Sequence, residues 1–514
     1  MRKTMLGVLA AAFVLVLAAA AVAAGPKGTA KAGGGSAAFT NFEVSSTPPS
    51  PVGTTCPGAG PACTNIAAEP AIRADGDGNF YASSENGLGA GTDAWRSSDG
   101  GLHYATLPCP DCGSTAGISN TTGVAPGGGD TDLAVAPDRN PATGKYNVYV
   151  ASLSLANVDI SISTDGGQTF TLNPITTPET ADDREWIAAD GAFGYCFSYH
   201  DAPQGITVGC GKTVGSSGVA ETSQYASALD ATHAFQIGDN EIGNLAIDPS
   251  SHVIYQTYSA ITTAAEATCA PQLGVSAGTC NYHGVYMAVS TDGGLTFTDY
   301  PVYVNPDATV GYGHQFVNVS VDAAGNVYSV YTDDHHVYYS FSTDHGQTWS
   351  GPYLVSDTSG TQIFPWSTAG DAGKLDVVYY QTPYYDGTST PDTYPASAAW
   401  TVGFAQNLNA LAPGSSWSRQ TASPVNHYGG VCEAGVTCTG NRDLYDDFGV
   451  AASPTTGLAS IVYSDDQYST DAASTNCTPA NDNTASCDHT SFATQTAGTG
   501  IYSTAGTGPG KHKP

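Results

Sequence analysis

Ser97-Ser-Asp99-Gly-Gly101-Leu-His103-Tyr104, Ser163-Thr-Asp165-Gly-Gly167-Gln-Thr169-Phe170, Ser290-Thr-Asp292-Gly-Gly294-Leu-Thr296-Phe297 and Ser342-Thr-Asp344-His-Gly346-Gln-Thr348-Trp349 are four copies of one pattern, S-x-D-x-G-x-x-aromatic. A fixed pattern recurring at tens of residues marks a repeat fold. Its chemistry is that of a β-hairpin turn. The Asp carboxylate accepts bonds from the amides that follow it, Gly supplies φ > 0, and the aromatic packs under the turn.

Around these turns runs a looser repeat, found seven times. A polar residue precedes an apolar strand that ends in an Asp, Pro or Ser turn, and a second strand rich in Tyr and Val follows. The copies begin at Glu69, Asp130, Asp183, Glu241, Gln315, Phe364 and Asp447. Period-two alternation and β-branched or aromatic enrichment mark both segments as strands. The S-x-D turns follow copies one, two, four and five. From Asp165 to Asp292 is 127 residues, about twice the 66 from Asp99 to Asp165, so copy three lacks its turn. In copy six, Trp400-Thr-Val-Gly-Phe404 and Trp417 stand where a turn has degenerated. Each unit holds four strands, which is a β-propeller blade. The chain therefore reads as all-β, a single propeller over 39–500 with seven blades. Phe39-Thr-Asn-Phe-Glu-Val44 is expected to complete the last blade.

Ahead of the propeller, Arg2 and Lys3 precede an apolar run from Met5 to Val22 and small residues. This reads as a signal peptide over 1–24, followed by a Gly/Ala/Lys-rich disordered linker over 25–38; residues 501–514 read as a flexible tail. All twelve Cys follow the leader, in near neighbours: Cys56/Cys63, Cys109/Cys112, Cys196/Cys210, Cys269/Cys280, Cys432/Cys438 and Cys477/Cys487. An even count in an exported chain implies six local disulfides. The expected location is extracellular, and the expected state is a monomer.

The formal net charge is −31, and loss of Arg2 and Lys3 with the leader takes it to −33. That excludes nucleic acid as a partner, since phosphate binding needs a basic patch, and disfavours anionic membranes. A glycan or glycoprotein is the expected partner.

Innermost strands of a propeller begin around the central channel. The residues at those starts are Glu69, Asp130, Asp132, Asp182, Asp183, Arg184, Glu185, Glu241, His314, Asp446 and Asp447, with Arg442 just before. This is an acidic ring with two arginines. Paired carboxylates are what glycoside hydrolysis needs, one protonated and one ionised. Asp130, Asp183, Glu241 and Asp447 are the candidate catalytic carboxylates. Arg184, Arg442, Glu69, His314 and Trp366 are the candidate substrate contacts. No cofactor is expected, with a structural Ca²⁺ left open. Asp75-Gly-Asp77-Gly-Asn79 has the spacing of a Ca²⁺ loop start but lacks its later ligands, so a hairpin turn is the expectation. Of Asp333-Asp-His-His336 only alternate residues could share an ion.

The four turns resemble the Asp-box, or BNR repeat, of sialidases. Asp183-Arg-Glu-Trp-Ile-Ala-Ala-Asp190, Phe364-Pro-Trp366 and Asn441-Arg-Asp-Leu-Tyr-Asp-Asp-Phe448 are similar to segments of secreted sialidase-like proteins, over residues 66 to 498. The resemblance implies that the turns are structural, at the blade periphery. It also implies a sialidase-like glycoside hydrolase with three arginines clamping a substrate carboxylate, a Tyr nucleophile activated by Glu, and an Asp acid/base. Arginine suits such a clamp because its planar fork grips carboxylate bidentately. Sialidases have six blades, the alternative to the seven counted here. Only Arg73, Arg96, Arg139, Arg184, Arg419 and Arg442 follow the leader. Where the family has R-I-P, this chain reads Ile72-Arg73-Ala74, so Arg73 is expected to point outward. Tyr379, Tyr380, Tyr445 and Tyr463 are nucleophile candidates by location. The competing expectation is a non-catalytic carbohydrate- or protein-binding propeller that lacks the arginine triad.

Overall fold

The computed structural model describes residues 36–43, 69–87, 91–112, 127–154, 157–174, 182–201, 205–269, 281–313, 316–357, 359–433, 438, 442–468, 478, 480, 483 and 487–503. The expected signal peptide and nearly all of the linker lie outside these residues, as do His314, Cys56, Cys63, Cys280 and Cys477.

Seven antiparallel sheets form seven blades, so the six-bladed alternative is excluded. From innermost strand outward, blade 1 is Ala71–Ala74, Phe80–Ser84, Asp93–Ser97 and Ala105–Thr106. Blade 2 is Thr131–Arg139, Tyr146–Ser154, Asn157–Ser163 and Thr171–Pro174; blade 3 is Asp183–Asp190, Gly194–Asp201, Gly205–Thr213 and Ala220–Ser227. Blade 4 is Asn240–Ile247, Ile254–Ala260, Gly284–Ser290 and Thr298–Val304; blade 5 is Asn318–Val321, Val327–Thr332, Val337–Ser342 and Ser350–Leu354. Blade 6 is Thr361–Ala369, Leu375–Thr382, Ala399–Asn407 and Ser418–Thr421, with His427–Tyr428 added against the start of its third strand. Blade 7 is Gly449–Ala452, Ala459–Asp465 and His489–Ala497, and its outermost strand is Ala38–Glu43 from the other end of the chain. Among the described residues there is no α-helix, only short 3-10 turns such as Ala264–Thr268.

The four repeat turns have one geometry. The Ser hydroxyl donates to the Asp carboxylate (2.8 Å for Ser163–Asp165) and accepts the N–H of the glycine four residues on (2.8 Å for Gly167). The same Asp accepts the N–H of Thr169 at 2.9 Å and its hydroxyl at 2.7 Å. In the first copy the ring Nδ1 of His103 takes the hydroxyl's place, 2.7 Å from Asp99.

Each turn also straps its blade to the one before. A Cβ on the second glycine would meet Thr494 of blade 7 for Gly101, Leu107 of blade 1 for Gly167, Cys210 of blade 3 for Gly294 and Val289 of blade 4 for Gly346. Every one of these glycines has φ between 80° and 88°. The turn's aromatic crosses in the same direction, as Tyr104 stacks on Phe492 of blade 7 with centroids 4.0 Å apart. The first glycine of the pair instead faces open space at Gly100 and Gly293, which is why His345 can stand there, at φ 59°. Trp417, in blade 6, which has no turn motif, makes the equivalent contact on Tyr339 of blade 5, 5.3 Å away.

Asp75-Gly-Asp77-Gly-Asn79 is a hairpin turn. Asp75 accepts the N–H groups of Asp77 and Asn79, both at 2.9 Å, and the Asn79 amide at 2.7 Å. Asp322 repeats this arrangement with Asn326 and Tyr328 in blade 5. Cys109–Cys112, Cys196–Cys210 and Cys432–Cys438 form three of the expected disulfides, and Cys269 and Cys487 are also disulfide-bonded. Disulfides fit an oxidising, extracellular setting. Among the described residues no helix is long and apolar enough to cross a membrane. At the C-terminus Ile501 is buried and bonded to Gly457 and Asp371, and Ser503 donates its N–H to Asp371, so these residues of the expected tail are packed.

Candidate functional site

The innermost strands do not start as regular β-structure. Glu69, Arg184 and Phe364 stand at the starts of three of them with φ of 48°, 48° and 51°. Left-handed backbone is costly for residues with a Cβ and gathers at functional sites. The register slips there too, between Asp183 and Glu185 and between Ile363 and Trp366. Such bulges re-aim side chains. Here they send Glu69 and Arg184 to one buried meeting point.

Arg184 is 5% exposed. Its guanidinium lies between the rings of Trp186 and Phe316, 4.4 and 4.5 Å from their centroids. It pairs with Asp447 at 2.6 Å and with Glu69, and stands 3.8 Å from Asp130. Arg442 reaches Glu69 at 3.2 Å and Asp446 at 2.6 Å, over the ring of Tyr445. Glu69 therefore bridges the two arginines.

Glu69, Glu85 and Asp130 bring carboxylate oxygens within 4.8 Å of one another. Glu85 follows the second strand of blade 1, where the loop opens on the same face. Burial, then repulsion from Asp130, pushes its carboxyl up to about 8, against the pull of Arg442 and Arg184. Glu185 is 1% exposed, and neither of its carboxylate oxygens has a hydrogen-bond partner among the described residues. Burial and Asp130 hold it well above the usual carboxylate range. Asp183 is exposed at the rim and accepts the Arg184 N–H at 3.0 Å.

Below this layer the channel is plugged. Trp366 is 4% exposed, with its ring 5.1 Å from Trp186, and the Arg73 guanidinium lies over that ring at 5.5 Å. Arg73 also pairs with Asp132 at 2.9 Å, and Asp132 accepts the Ile187 N–H at 3.0 Å. On the far side is a cavity of about 280 Å³, lined by Arg73, Trp366 and residues of all seven innermost strands such as Ala74, Ala246 and Ala452.

The structure thus gathers Glu69, Asp130, Arg184, Arg442 and Asp447 at one mouth. Two expectations are corrected. Arg73 points into the channel, because Asp132 and the Trp366 face hold its guanidinium. Trp366 is the floor beneath the mouth, because Trp186 and Arg73 cover its ring. Glu241 opens the innermost strand of blade 4, opposite Ser259. Tyr379, Tyr380 and Tyr463 are core residues at 1% exposure or less, while Tyr445 reaches the mouth. Glu85 escaped the sequence reading, which followed strand starts; the second-to-third-strand loops open on the same face and carry the missing signal.

The sequence matches no protein-family model and no curated protein. Solved structures similar to this chain include an α-L-arabinofuranosidase from Fusarium graminearum, at 14% identity over 66% of this chain and 92% of that one, TM-score 0.41. A Hadza microbial sialidase is similar at 13% identity over 61% and 63%, TM-score 0.37. The six-bladed fucose-binding lectin of Aleuria aurantia is similar at 11% identity over 70% and 96%, TM-score 0.37. At these identities the likeness is one of propeller fold, and the site's own geometry decides its chemistry.

Proposed function

We propose that the channel mouth is the active site of an exported glycoside hydrolase acting on neutral sugars of extracellular glycans, with Glu85 as general acid and Asp130 as nucleophile. The observation that carries this reading is the closeness of that pair, one member of which is a carboxyl raised by burial. Their oxygens lie within 4.8 Å. That ceiling lies below the roughly 6.5–9.5 Å that inverting glycosidases need to seat a water, and so favours a retaining arrangement, in which the carboxyls stand about 5–5.5 Å apart. Glu85, up at about 8, keeps its proton at neutral pH. Asp130 is 18% exposed and faces the Arg184 guanidinium, which suits a carboxylate that must meet a sugar carbon.

The arginines argue for a neutral sugar. A sialidase clamp needs guanidiniums free to grip a substrate carboxylate. Arg184, Arg442 and Arg73 each already hold protein carboxylates. Seven acidic side chains (Glu69, Glu85, Asp130, Asp183, Glu185, Asp446 and Asp447) surround two of them, so an anionic sugar meets repulsion.

The test is hydrolysis of a fluorogenic glycoside panel, neutral sugars and a sialoside, by residues 25–514. Release from a neutral glycoside with retained anomeric configuration is expected, falling about 10²–10⁴-fold in Glu85→Gln and in Asp130→Asn. Release from the sialoside alone overturns the neutral-sugar assignment. The second reading, a non-catalytic glycan-binding propeller, draws on the same committed arginines, and binding without turnover would establish it.

A further inference from the structure

Among the described residues, the phenylalanine, tyrosine and tryptophan side chains left exposed are three tyrosines: Tyr385, Tyr428 and Tyr468, at 39%, 40% and 39%. The other exposed large apolar residues, such as Leu102, Leu295 and Leu408, are aliphatic. Apolar side chains scattered singly over a surface are ordinary, whereas a group gathered on one face marks a binding site. All three tyrosines lie on the face of the channel mouth. Tyr385 is in the loop between the second and third strands of blade 6, and Tyr468 is in the loop after the second strand of blade 7. Tyr428 pairs with Ala399, where the third strand of blade 6 begins. The next blade round the ring is blade 1, whose innermost strand packs on that of blade 7 and whose loop carries Glu85.

The three segments are tied to one another. Gly429 donates its N–H to the Ala398 carbonyl at 2.9 Å and Val431 to the Pro391 carbonyl at 3.0 Å, which seats the Tyr428 segment on the Tyr385 loop. Asn483 Oδ1 accepts the Tyr428 N–H at 2.6 Å and the Gln467 amide at 3.2 Å, which joins that segment to the Tyr468 loop.

Tyr385 is held ready. Its ring lies on the His335 ring of blade 5, with centroids 4.2 Å and planes 32° apart. The Asp333-Asp-His-His336 segment is a turn that presents that ring. Asp333 accepts the N–H groups of His335 at 3.2 Å and His336 at 2.8 Å, and the Tyr338 hydroxyl at 3.0 Å. The His335 carbonyl accepts the Gln362 N–H at 3.0 Å, which fixes the turn to blade 6. On the Tyr385 side, Asp386 accepts the N–H groups of Thr388 and Ser389 at 2.9 and 2.7 Å. A tyrosine fixed this way offers a broad flat surface at little conformational cost.

We propose that Tyr385, Tyr428 and Tyr468 are stacking positions for the sugars of a neutral glycan chain laid along the rim from blade 6 to blade 1. A sugar ring gathers C–H groups on one face and keeps its hydroxyls at the edge in water, so it meets the electron-rich face of an aromatic ring and stays hydrated. Asp334 and Asp386, next to the stacked rings in sequence, disfavour an anionic sugar. With the mouth read as a hydrolase site, on which this assignment rests, the substrate is a chain held beyond the Glu85–Asp130 pair and not a lone terminal sugar.

Affinity electrophoresis of residues 25–514 in native gels containing arabinan, galactan, xylan or mannan tests the track. At least one of the four should retard the acidic chain. Tyr385→Ala and Tyr428→Ala should each raise the apparent dissociation constant by about tenfold, the scale of truncating an aromatic anchor. Tyr385→Phe keeps the ring and should match the wild type. The side chains are exposed, so the fold survives their loss, which the urea midpoint checks. Retardation undiminished in the Tyr385→Ala, Tyr428→Ala double variant would place the glycan elsewhere and overturn the track, as would no retardation by any of the four. Self-association in sedimentation that the same substitutions abolish would give the tyrosines to a second copy of the chain, and overturn it too. Retardation reads binding without turnover, so failure here leaves the Glu85–Asp130 pair to be judged by its own hydrolysis panel.

Discussion

Glu85 shows how the channel face of a propeller can hold a carboxyl that keeps its proton at neutral pH. Glu85 is burdened by burial and by Asp130, and the opposing pull of Arg442 and Arg184, which also serve Glu69, Asp446 and Asp447, does not offset this. A general acid works only while it keeps its proton. The activity of the wild-type chain should therefore hold through neutral pH and fall as pH rises through about 8. In Glu85→Gln the residual activity should lose that alkaline limb. The check is kcat/KM against pH for both proteins; a limb that persists in Glu85→Gln assigns the titration to another group. Residue types at the mouth were legible in the sequence because innermost strands begin there. Their pairings were not. Period-two alternation puts Arg73 on one face or the other, and only Asp132 and Trp366, from blades 2 and 6, decide which.

At the level of the element, the repeat turn explains which of its glycines is essential. Gly293 and Gly294 both sit at positive φ, so each resists a side chain by roughly 1–2 kcal/mol of left-handed backbone strain. Gly294 adds a steric term, since its Cβ would stand 2.7 Å from Cys210 Sγ, and that sulfur is tied to Cys196. Gly294→Ala should lower the urea midpoint clearly more than Gly293→Ala, with m unchanged. Equal midpoints would remove the strap. The four turns were readable because their bonding is local, from Ser to a residue seven positions on. Blades 3 and 6 lack the motif yet make the same cross-blade contact, through Gly218 on Thr171 and Trp417 on Tyr339, and no short-range signal announces that.

For the whole molecule, closure is the vulnerable step. The strand Ala38–Glu43 ends at Glu43, whose carboxylate is 3.0 Å from the buried ring of His489. Glu43, together with Asp465, raises His489 to about 9, and burial with nearby acids raises Asp465 to about 7. The sign follows from linkage. A raised imidazolium stabilises the fold fully below its ordinary pKa of about 6.5, and that contribution is lost as pH rises through about 9. Asp465, raised as well, has already lost its share by about pH 7. Melting temperature should fall between pH 7 and pH 10, with on the order of 3 kcal/mol at stake for a shift of this size. His489→Gln should flatten the fall, which calorimetry across that range would register. A slope unchanged by His489→Gln would move the titration elsewhere. The seven-blade count and the closing strand were both visible in the sequence, since every blade carries its own alternation. The ion pair that guards the seam joins residues over four hundred positions apart and left no local trace.

The backward direction of the straps has a consequence for how the chain is made. Blades 2, 4 and 5 lay their turns on a neighbour that has already emerged from the ribosome, so each can dock as soon as it is complete. Blade 1 cannot. Its Gly101 and Tyr104 land on Thr494 and Phe492, nearly four hundred residues later in synthesis. Until the last sheet arrives, the first one presents an unsatisfied aromatic and an open edge to its surroundings. Translation thus leaves the earliest blade waiting longest for its partner, and the nascent chain needs protection at its beginning rather than at its end.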